Sequence, residues 1–189
     1  NCGLVKNLAL SAIISVSVPS EEIVEKLYEI GTEYFTDVKD SVKKDGTRIF
    51  VDGKLIGYHK DGEKLASSLR ELRRSSKIHP HVGISIHIPE QEGATKRLYV
   101  NCNAGRVLRS LIIVKDGKSA LTPDLLDKIL KKLVSWEDLI RMGVIELIDA
   151  NEEENCFITF DDKHIKKHTH TEIFPSAILG AGASIIPYP

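Results

Sequence analysis

Cysteine, tryptophan and methionine are rare in this sequence. Its 189 residues include three cysteines, one tryptophan and one methionine. Cys2, Cys102 and Cys156 are odd in number and far apart, which favours reduced thiols in an intracellular protein over a disulfide framework. The chain begins Asn1-Cys2-Gly3, without a methionine or the basic start of a secretory signal. We therefore expect a fragment or a processed product.

An excess of charge of one sign and a long hydrophobic run are also missing. The 26 basic and 27 acidic residues give a net charge of -1, so the chain as a whole is not attracted to a phosphate backbone. The uncharged stretch from Ala177 to Ile186 is only about half as long as the roughly 20 apolar residues that a membrane span needs. We predict instead that this stretch is buried and closely packed at Gly180 and Gly182.

What the sequence does contain is the composition of an ordinary soluble globular protein, with 42% hydrophobic and 28% charged residues. Its length suggests one domain or two small ones. Apolar residues alternate in strand-like segments and recur at helical spacing in others. Predicted helices begin near Ser20, Asp61, Thr122 and Ser135, and Asp52-Gly53 predicts a hairpin turn. We predict the α+β fold class, with mixed hairpins, antiparallel strands and three to four helices.

The densest basic patch lies at the end of the second predicted helix. It consists of Arg70, Arg73, Arg74 and Lys77. One interpretation is a solvated helix face whose cations lie near the negative end of the helix dipole. The other is a surface that contacts phosphates or an acidic partner. Arg106 and Arg109 follow a later turn.

Three further motifs are weak candidates for a chemical site. The histidines His164, His168 and His170 have a spacing that allows metal binding, but paired ligands at zinc-site spacing are missing, and polar loop histidines are the alternative. The acidic run from Glu152 to Glu154 is a candidate Mg²⁺ site or a solvated loop. The stretch from Gly180 to Ser184 lacks the Gly-Lys-Ser/Thr of a phosphate-binding loop. The residues and their spacing therefore define no self-sufficient active site, and we predict no catalytic residue and no metal ligand.

As a set, six segments resemble the second-largest subunit of multisubunit DNA-directed RNA polymerases. Asn1 to Leu8 is similar to the end of the family's P-E-G-x-N/A-C-G-L-V-K-N-L box, and Phe50 to His59 to F-V-N-G-x-x-x-G-x-H. Leu69 to Arg74 is similar to L-R-x-L-R-R, and Asn103 to Arg109 to D-A-G-R-x-x-R-P.

The last two segments extend the resemblance over nearly the whole chain. Gly143 to Glu154 resembles G-x-I-E-Y-I-D-A-E-E-E, and Thr169 to Pro187 resembles T-H-C-E-I-H-P-S-x-x-x-G-x-x-A-S-I-I-P-F-P. The departures from the family pattern are Asn103 for Asp, Ser110 for Pro, Thr171 for Cys and Phe174 for His. The short stretch between Phe160 and Thr169 lacks a long insertion of eukaryotic relatives, so we expect an archaeal member.

The resemblance implies an internal fragment with four segments. These are the end of the fork region (1–18), the first part of external 2 (19–114), its second part (115–160) and the start of the hybrid-binding domain (161–189). The family's active-centre lysines, its acidic residue near the catalytic Mg²⁺ and its zinc site belong to sequence beyond Pro189. The fragment alone is therefore expected to be inactive, with no cofactor of its own, whereas the whole enzyme uses Mg²⁺ and also holds Zn²⁺.

The resemblance also implies partners and a location. Other polymerase subunits, especially the largest, the DNA template and the RNA–DNA hybrid would be partners, no membrane would be involved, and the enzyme would be cytoplasmic. Residues 1–6 and 170–187 would support the walls around template and hybrid. The candidate contacts to nucleic acid or other subunits are Lys6, Arg70, Arg73, Arg74, Arg106 and Arg109.

Two other functions remain open on the residues alone. One is an autonomous α+β module that binds a protein partner, and the other, the weakest, is a small hydrolase, for which no nucleophile–base pair is visible. The polymerase interpretation predicts apolar ends that need missing neighbours and drive oligomerisation. The binding-module interpretation predicts a soluble monomer whose ends pack on its own core.

Overall fold

Two β-sheets organise the chain in the computed structural model, which describes residues 7–36, 46–91, 94–160, 165 and 167–187. Six α-helices and eleven strands are found within these ranges. The predicted α+β class is confirmed, and three of the helices have eight or more residues. Lys6, His164 and the first and last residues of the chain lie outside the described ranges.

The first sheet has five strands in the order β2-β4-β3-β6-β5. Its strands are β2 (Glu33–Tyr34), β3 (Thr47–Val51), β4 (Lys54–His59), β5 (Gly83–His87) and β6 (Arg97–Asn101). Strands β3 and β6 are parallel, and the other neighbours are antiparallel. The predicted turn between β3 and β4 is confirmed, because Asp52 and Gly53 both have positive φ, at 49° and 80°.

The second sheet is built around one long central strand, β7 (Val107–Lys115). Its other strands are β1 (Ala12–Ile14), β8 (Lys118–Ser119), β9 (Ile145–Asp149), β10 (Ile158–Thr159) and β11 (His170–Glu172). Strands β1, β8, β9 and β11 all pair antiparallel with β7, and β10 pairs parallel with β11. Segments from the beginning, middle and end of the chain therefore meet on β7.

Four of the six helices begin at a side-chain cap, whereas the first helix, which was expected to be capped by Ser20, and the last helix have none. They are α1 (Ser20–Glu29), α2 (Gly62–Arg74), α3 (Pro123–Leu130), α4 (Trp136–Arg141), α5 (Ala150–Glu153) and α6 (Ala181–Ser184). Asp61 caps α2, Thr122 caps α3, and Ser135 and Asp138 form a capping box at the start of α4. A 3₁₀ helix, Pro175–Ile178, lies before α6.

The main hydrophobic core lies between the first sheet and the helices α1 and α2. Ile23 and Leu27 of α1 and Leu65 and Leu69 of α2 are buried. They belong to one cluster with the inward side chains of the strands, which are Ile49, Val51, Ile84, Leu98 and Val100. A smaller cluster around Leu139, Val144 and Ile145 packs with α3 and α4. Burial of these faces is what the helical and alternating patterns predict.

The two ends of the described chain differ from their predictions. The alternation of Ile14, Val16 and Val18 predicts a first strand that continues to Val18, but the strand ends at Ile14. The stretch 177–186 was expected to be buried, but Ile185 is 80% and Ile186 58% exposed, so that expectation is wrong. Close packing holds at Gly180, where a Cβ would lie 2.9 Å from Cβ of Asn7, and fails at Gly182, which faces open space.

Candidate functional site

Helix α2 carries the predicted basic patch, and its arginines point into the protein. Arg70, Arg73 and Arg74 lie on the part of α2 that approaches β5, β9 and α5, and each has a carboxylate partner there. The side chain of Arg73 is 2% exposed. The interpretation of this patch as a solvated helix face is therefore wrong for Arg73.

The guanidinium of Arg73 is fully used inside the protein. Its Nη2 donates to Oε1 of Glu152 at 2.6 Å and to Oε1 of Glu146 at 2.7 Å. Its Nη1 donates to Oε2 of Glu152 at 2.7 Å and to the Val82 carbonyl at 2.6 Å, and its Nε donates to Glu146 at 3.3 Å. Burial favours a lower pKa for Arg73, but the two carboxylates outweigh it and raise the pKa above its usual value.

Glu146 on β9 is the point where three basic side chains meet. Arg74 Nη2 donates to its Oε2 at 2.7 Å, and Nε2 of His170 lies 2.9 Å from the same oxygen. Burial alone favours a higher pKa for Glu146, yet Arg73, His170 and Arg74 hold its pKa well below the usual 4.5. His170 is itself buried on β11, so the interpretation of this residue as a polar loop histidine is wrong.

Glu152 and Asp149 join helix α5 to the same region. Oε2 of Glu152 accepts from the backbone N–H of Ile84 at 3.2 Å, and Arg70 Nε donates to its Oε1 at 3.2 Å. Asp149 caps α5 through the N–H of Glu152 and accepts from Arg106 Nη1 at 2.6 Å. The acidic run was considered as a solvated loop, but Glu152 is 1% exposed.

Arg109 makes the remaining pairs on the second sheet. Its Nη1 donates to Oε1 of Glu172 at 2.7 Å, and its Nη2 donates to Oε1 of Glu153 at 2.6 Å. Burial raises the pKa of Glu172, while Arg109 acts in the opposite direction and Glu153 adds to the rise. Arg109 therefore offsets only part of the effect that burial has on the Glu172 carboxylate.

The ten residues of these pairs form a balanced set, which we call the charge cluster. Its cations are Arg70, Arg73, Arg74, Arg106 and Arg109, and its anions are Glu146, Asp149, Glu152, Glu153 and Glu172. Five arginines face five carboxylates, so little positive charge is left for a phosphate. The geometry is suited to fixing α2 and β7 against β9, α5 and β11.

These five arginines were the candidate contacts to nucleic acid or other subunits. Arg70, Arg74, Arg106 and Arg109 keep between 17% and 26% of their side chains exposed, and an outward contact stays a prediction for them. Arg73 is too deeply buried to make such an outward contact, because its side chain is 2% exposed. Lys6 lies outside the described residues.

The remaining candidate groups do not form a common chemical site within the described residues. Burial raises the pKa of the Cys102 thiol to about 12, and burial does the same for Cys156. Within the described ranges, His, Cys, Asp and Glu side chains form no group of three that would hold a metal ion. Likewise, no helix of the described residues is long and apolar enough to cross a membrane.

Sequence reasoning missed the partners of the arginines. Glu146, Asp149 and Glu152 recur at intervals of three residues, and each forms a pair with an arginine. That spacing was the available signal. It was not decisive, because the pairs join residues 43 to 82 positions apart in the chain.

Two apolar segments near the ends of the described chain lie together. The N–H of Leu10 donates to the Leu179 carbonyl at 2.9 Å, and Ser11 donates to the Ala177 carbonyl. These segments expose large apolar side chains, which we call the end surface: Leu8, Leu10, Ile14, Val16, Ile178, Ile185 and Ile186. Exposed apolar groups of this kind mark interaction sites. The fold and its surfaces thus define a class of protein, an α+β fold of two sheets with an internal charge cluster and an exposed apolar end surface.

Comparison with known proteins identifies the family within this class. The family model for RNA polymerase Rpb2, domain 4, matches residues 49–115, and that for RNA polymerase Rpb2, domain 5, matches residues 136–175. All five arginines of the charge cluster lie in the first range and all five carboxylates in the second. The charge cluster therefore lies at the contact between the two family domains, where β7 also pairs with β9 and β11.

Individual relatives match over the whole chain. Subunit Rpo2 of DNA-directed RNA polymerase from Saccharolobus shibatae is 42% identical over 200 residues, and that from Sulfolobus acidocaldarius is 40% identical. The RPB2 subunit of RNA polymerase II from Encephalitozoon cuniculi is 38% identical over 199 residues. In each case the match covers 100% of this chain and 17% of the relative.

The chain belongs to the family of second-largest subunits of DNA-directed RNA polymerases, as the resemblance predicted. It spans about one sixth of the length of the curated relatives that it matches. Archaeal relatives at 40% to 42% identity agree with the expectation of an archaeal member.

Proposed function

We propose that this chain is a structural part of the second-largest subunit of a DNA-directed RNA polymerase. In the assembled enzyme it supports DNA-templated RNA synthesis without supplying a catalytic group. The observation that carries the proposal is the end surface on a chain of this family. Ile185 at 80% and Leu8 at 61% exposure are large apolar side chains whose burial needs a neighbour.

The chemistry of the whole enzyme belongs to other residues in this proposal. Nucleotidyl transfer by two metal ions stabilises the attacking and leaving oxygens. The Mg²⁺ for this step and the Zn²⁺ of the subunit would be held outside this chain. The largest subunit, the DNA template and the RNA–DNA hybrid are the proposed partners, and the cytoplasm is the proposed location.

The proposed role differs along the chain. Segments 1–18 and 161–189, the end of the fork and the start of the hybrid-binding domain, would face the interior of the enzyme. Segments 19–114 and 115–160 would form external 2, an outer part of the subunit. Their arrangement supports this division, since the two end segments meet each other at the end surface. Arg70, Arg74, Arg106 and Arg109 remain proposed contacts to neighbouring subunits or nucleic acid.

The test is assembly of a full-length subunit whose end surface carries two charges. In the variant Leu10→Lys/Ile185→Lys, two lysines would have to be buried without a partner, which is costly. We expect at least tenfold less variant subunit to co-purify with the other polymerase subunits. Promoter-independent RNA synthesis per assembled enzyme should stay within about twofold of wild type, because no catalytic group is altered.

The matched control is Leu130→Lys/Leu133→Lys, since these side chains are as exposed, at 79% and 71%, and lie outside the end surface. Equal losses in both double variants, or normal assembly of the first, would contradict the proposal. Normal assembly, with an isolated chain that is monomeric in sedimentation experiments, would favour the autonomous protein-binding module.

A further inference from the structure

Two of the eight arginines differ from the others in their surroundings. Arg70, Arg73, Arg74, Arg106, Arg109 and Arg141 each have a carboxylate within 4.0 Å. Within the described residues, neither Arg48 nor Arg97 forms an ion pair. These two residues were also not among the candidate contacts that the sequence suggested.

The two unpaired arginines stand beside each other on the first sheet. Arg48 of β3 and Arg97 of β6 are register partners on parallel strands. Like charges directly opposite each other destabilise a sheet. In addition, Nε of Arg48 is buried without a hydrogen-bond partner. Nε of Arg109 is buried without a partner as well, so this feature alone does not mark a ligand, but an anion between the two guanidinium groups would offset the repulsion between Arg48 and Arg97.

Two aromatic rings follow the arginines on the same face. Phe50 and Tyr99 lie two residues further along β3 and β6, and they too are register partners. Their ring centroids are 5.3 Å apart with an angle of 22° between the planes. The intervening Ile49 and Leu98 are fully buried in the core. Since side chains alternate along a strand, the arginines and aromatic rings occupy the opposite face.

A groove of about 640 Å³, lined by polar side chains and by Ile86 and Ile88, adjoins this face. Arg97 and Tyr99 line it, together with Ser85, Asn101 and Asn151. In the part of the chain that the structure describes, the side chains of these last three residues make no hydrogen bond. Glu154 adds a carboxylate to the lining. The groove thus offers hydrogen-bond donors and acceptors beside an aromatic ring and a cation.

We propose that this outer face of the first sheet binds single-stranded nucleic acid. A phosphate lies between Arg48 and Arg97, a base stacks on Tyr99, and the amide groups of Asn101 and Asn151 meet base edges. Guanidinium groups bind phosphates strongly, and aromatic rings on sheets accept bases of any sequence. This site shares no residue with the end surface and does not rest on the proposed polymerase role.

The test uses the full chain and a fluorescein-labelled 15-nucleotide oligouridylate, with binding followed by fluorescence anisotropy at several salt concentrations. Because the two arginines hold one phosphate, Arg48→Gln/Arg97→Gln should make the slope of log K against log salt less negative by about 0.7. Tyr99→Ala should weaken binding about tenfold, and Tyr99→Trp should retain it. The control Lys128→Gln/Arg141→Gln makes the same charge change on α3 and α4 and should leave the affinity unchanged.

Competitors separate the possible ligands. If uridine monophosphate displaces the probe only at far higher concentration, a strand is the ligand; if it competes equally, the same phosphate-and-base chemistry serves a free nucleotide. The proposal is overturned if the wild-type chain does not bind the probe. It is also overturned if Tyr99→Ala binds normally and oligoglutamate displaces the probe as well as nucleotides do. Circular dichroism confirms that each variant is folded.

Discussion

Arg73 shows, at the scale of single residues, what the charge cluster does. Its five donors are satisfied by two carboxylates and a backbone carbonyl, and its side chain is 2% exposed. A buried ion pair is not in itself evidence of stability, because both charges lose their hydration. Removing one partner of such a pair, however, leaves the other buried without compensation.

We therefore predict that Arg73→Leu lowers the free energy of unfolding by about 3 kcal/mol, the lower end of the range for a broken buried pair. The lower end applies because Arg74 remains with Glu146 and Arg70 with Glu152. Urea unfolding followed by circular dichroism measures the effect. The control Arg141→Leu, at a side chain that is 68% exposed, should stay within about 0.5 kcal/mol. If Arg73→Leu loses as little stability as the control, then Arg74 and Arg70 compensate the two carboxylates without Arg73, and the prediction is wrong.

At the scale of elements, the free edge of strand β5 is covered by side chains. The Asn155 carboxamide accepts from the N–H of Ile86 and donates to its carbonyl, both at 2.8 Å. One residue pair earlier, Glu152 accepts from the N–H of Ile84 and Arg70 donates to its carbonyl. An exposed edge is a site of unwanted strand pairing. These contacts satisfy the backbone N–H and C=O groups of Ile84 and Ile86 on this edge, and they attach the first sheet to α5.

Gly83, at the start of β5, tests how closely the elements approach. A Cβ at this position would collide with the Asp149 carboxylate and lie 2.7 Å from Nη1 of Arg106. We predict that Gly83→Ala lowers the midpoint of thermal unfolding by an amount equivalent to about 1–3 kcal/mol. Gly182→Ala, where no atom lies within 4 Å of the added Cβ, should be nearly neutral. Equal melting temperatures for both variants would show that the Arg106–Asp149 pair moves aside freely.

The predicted elements were right where local chemistry decides them. Asp52-Gly53, Asp61, Thr122 and Ser135 have the roles that their side chains and backbone preferences indicate. Strand ends were less predictable, because β1 stops at Ile14 although the alternation continues to Val18. Its partner β7 starts at Val107, opposite Ile14, and pairing with a strand about 90 residues away is not encoded locally.

At the scale of the whole molecule, β7 and the charge cluster hold the two family domains together. Acid should therefore weaken the entire fold through Glu146. Its pKa is held well below 4.5 in the folded chain, so below pH 4.5 the unfolded chain binds more protons. The stabilisation is complete above pH 4.5 and is lost as pH falls through the folded-state pKa. Glu172, with a raised pKa, acts in the opposite sense.

We predict that wild-type stability falls between pH 5 and pH 2 more steeply than that of Glu146→Gln. The variant should also be less stable at pH 7, since a neutral amide pairs more weakly with Arg73 and Arg74. Urea midpoints measured at each pH test this. Glu137→Gln, at a side chain that is 79% exposed, is the control and should follow the wild-type curve. Parallel curves for wild type and Glu146→Gln would assign the acid sensitivity to other groups.

The sequence by itself determined the family, the fold class, and the helix caps and turns, because motifs, periodicity and capping depend on residues that are close together in the chain. The tertiary structure decided which charged side chains are buried in ion pairs and which are exposed. Arg73 and Arg97 are the same residue type, yet one is buried between two carboxylates, and the other is exposed and forms no ion pair among the residues that the structure describes. Each outcome depends on partners brought near by distant strands, and the electrostatic energy of a charge is set by its distance to those partners and by its burial.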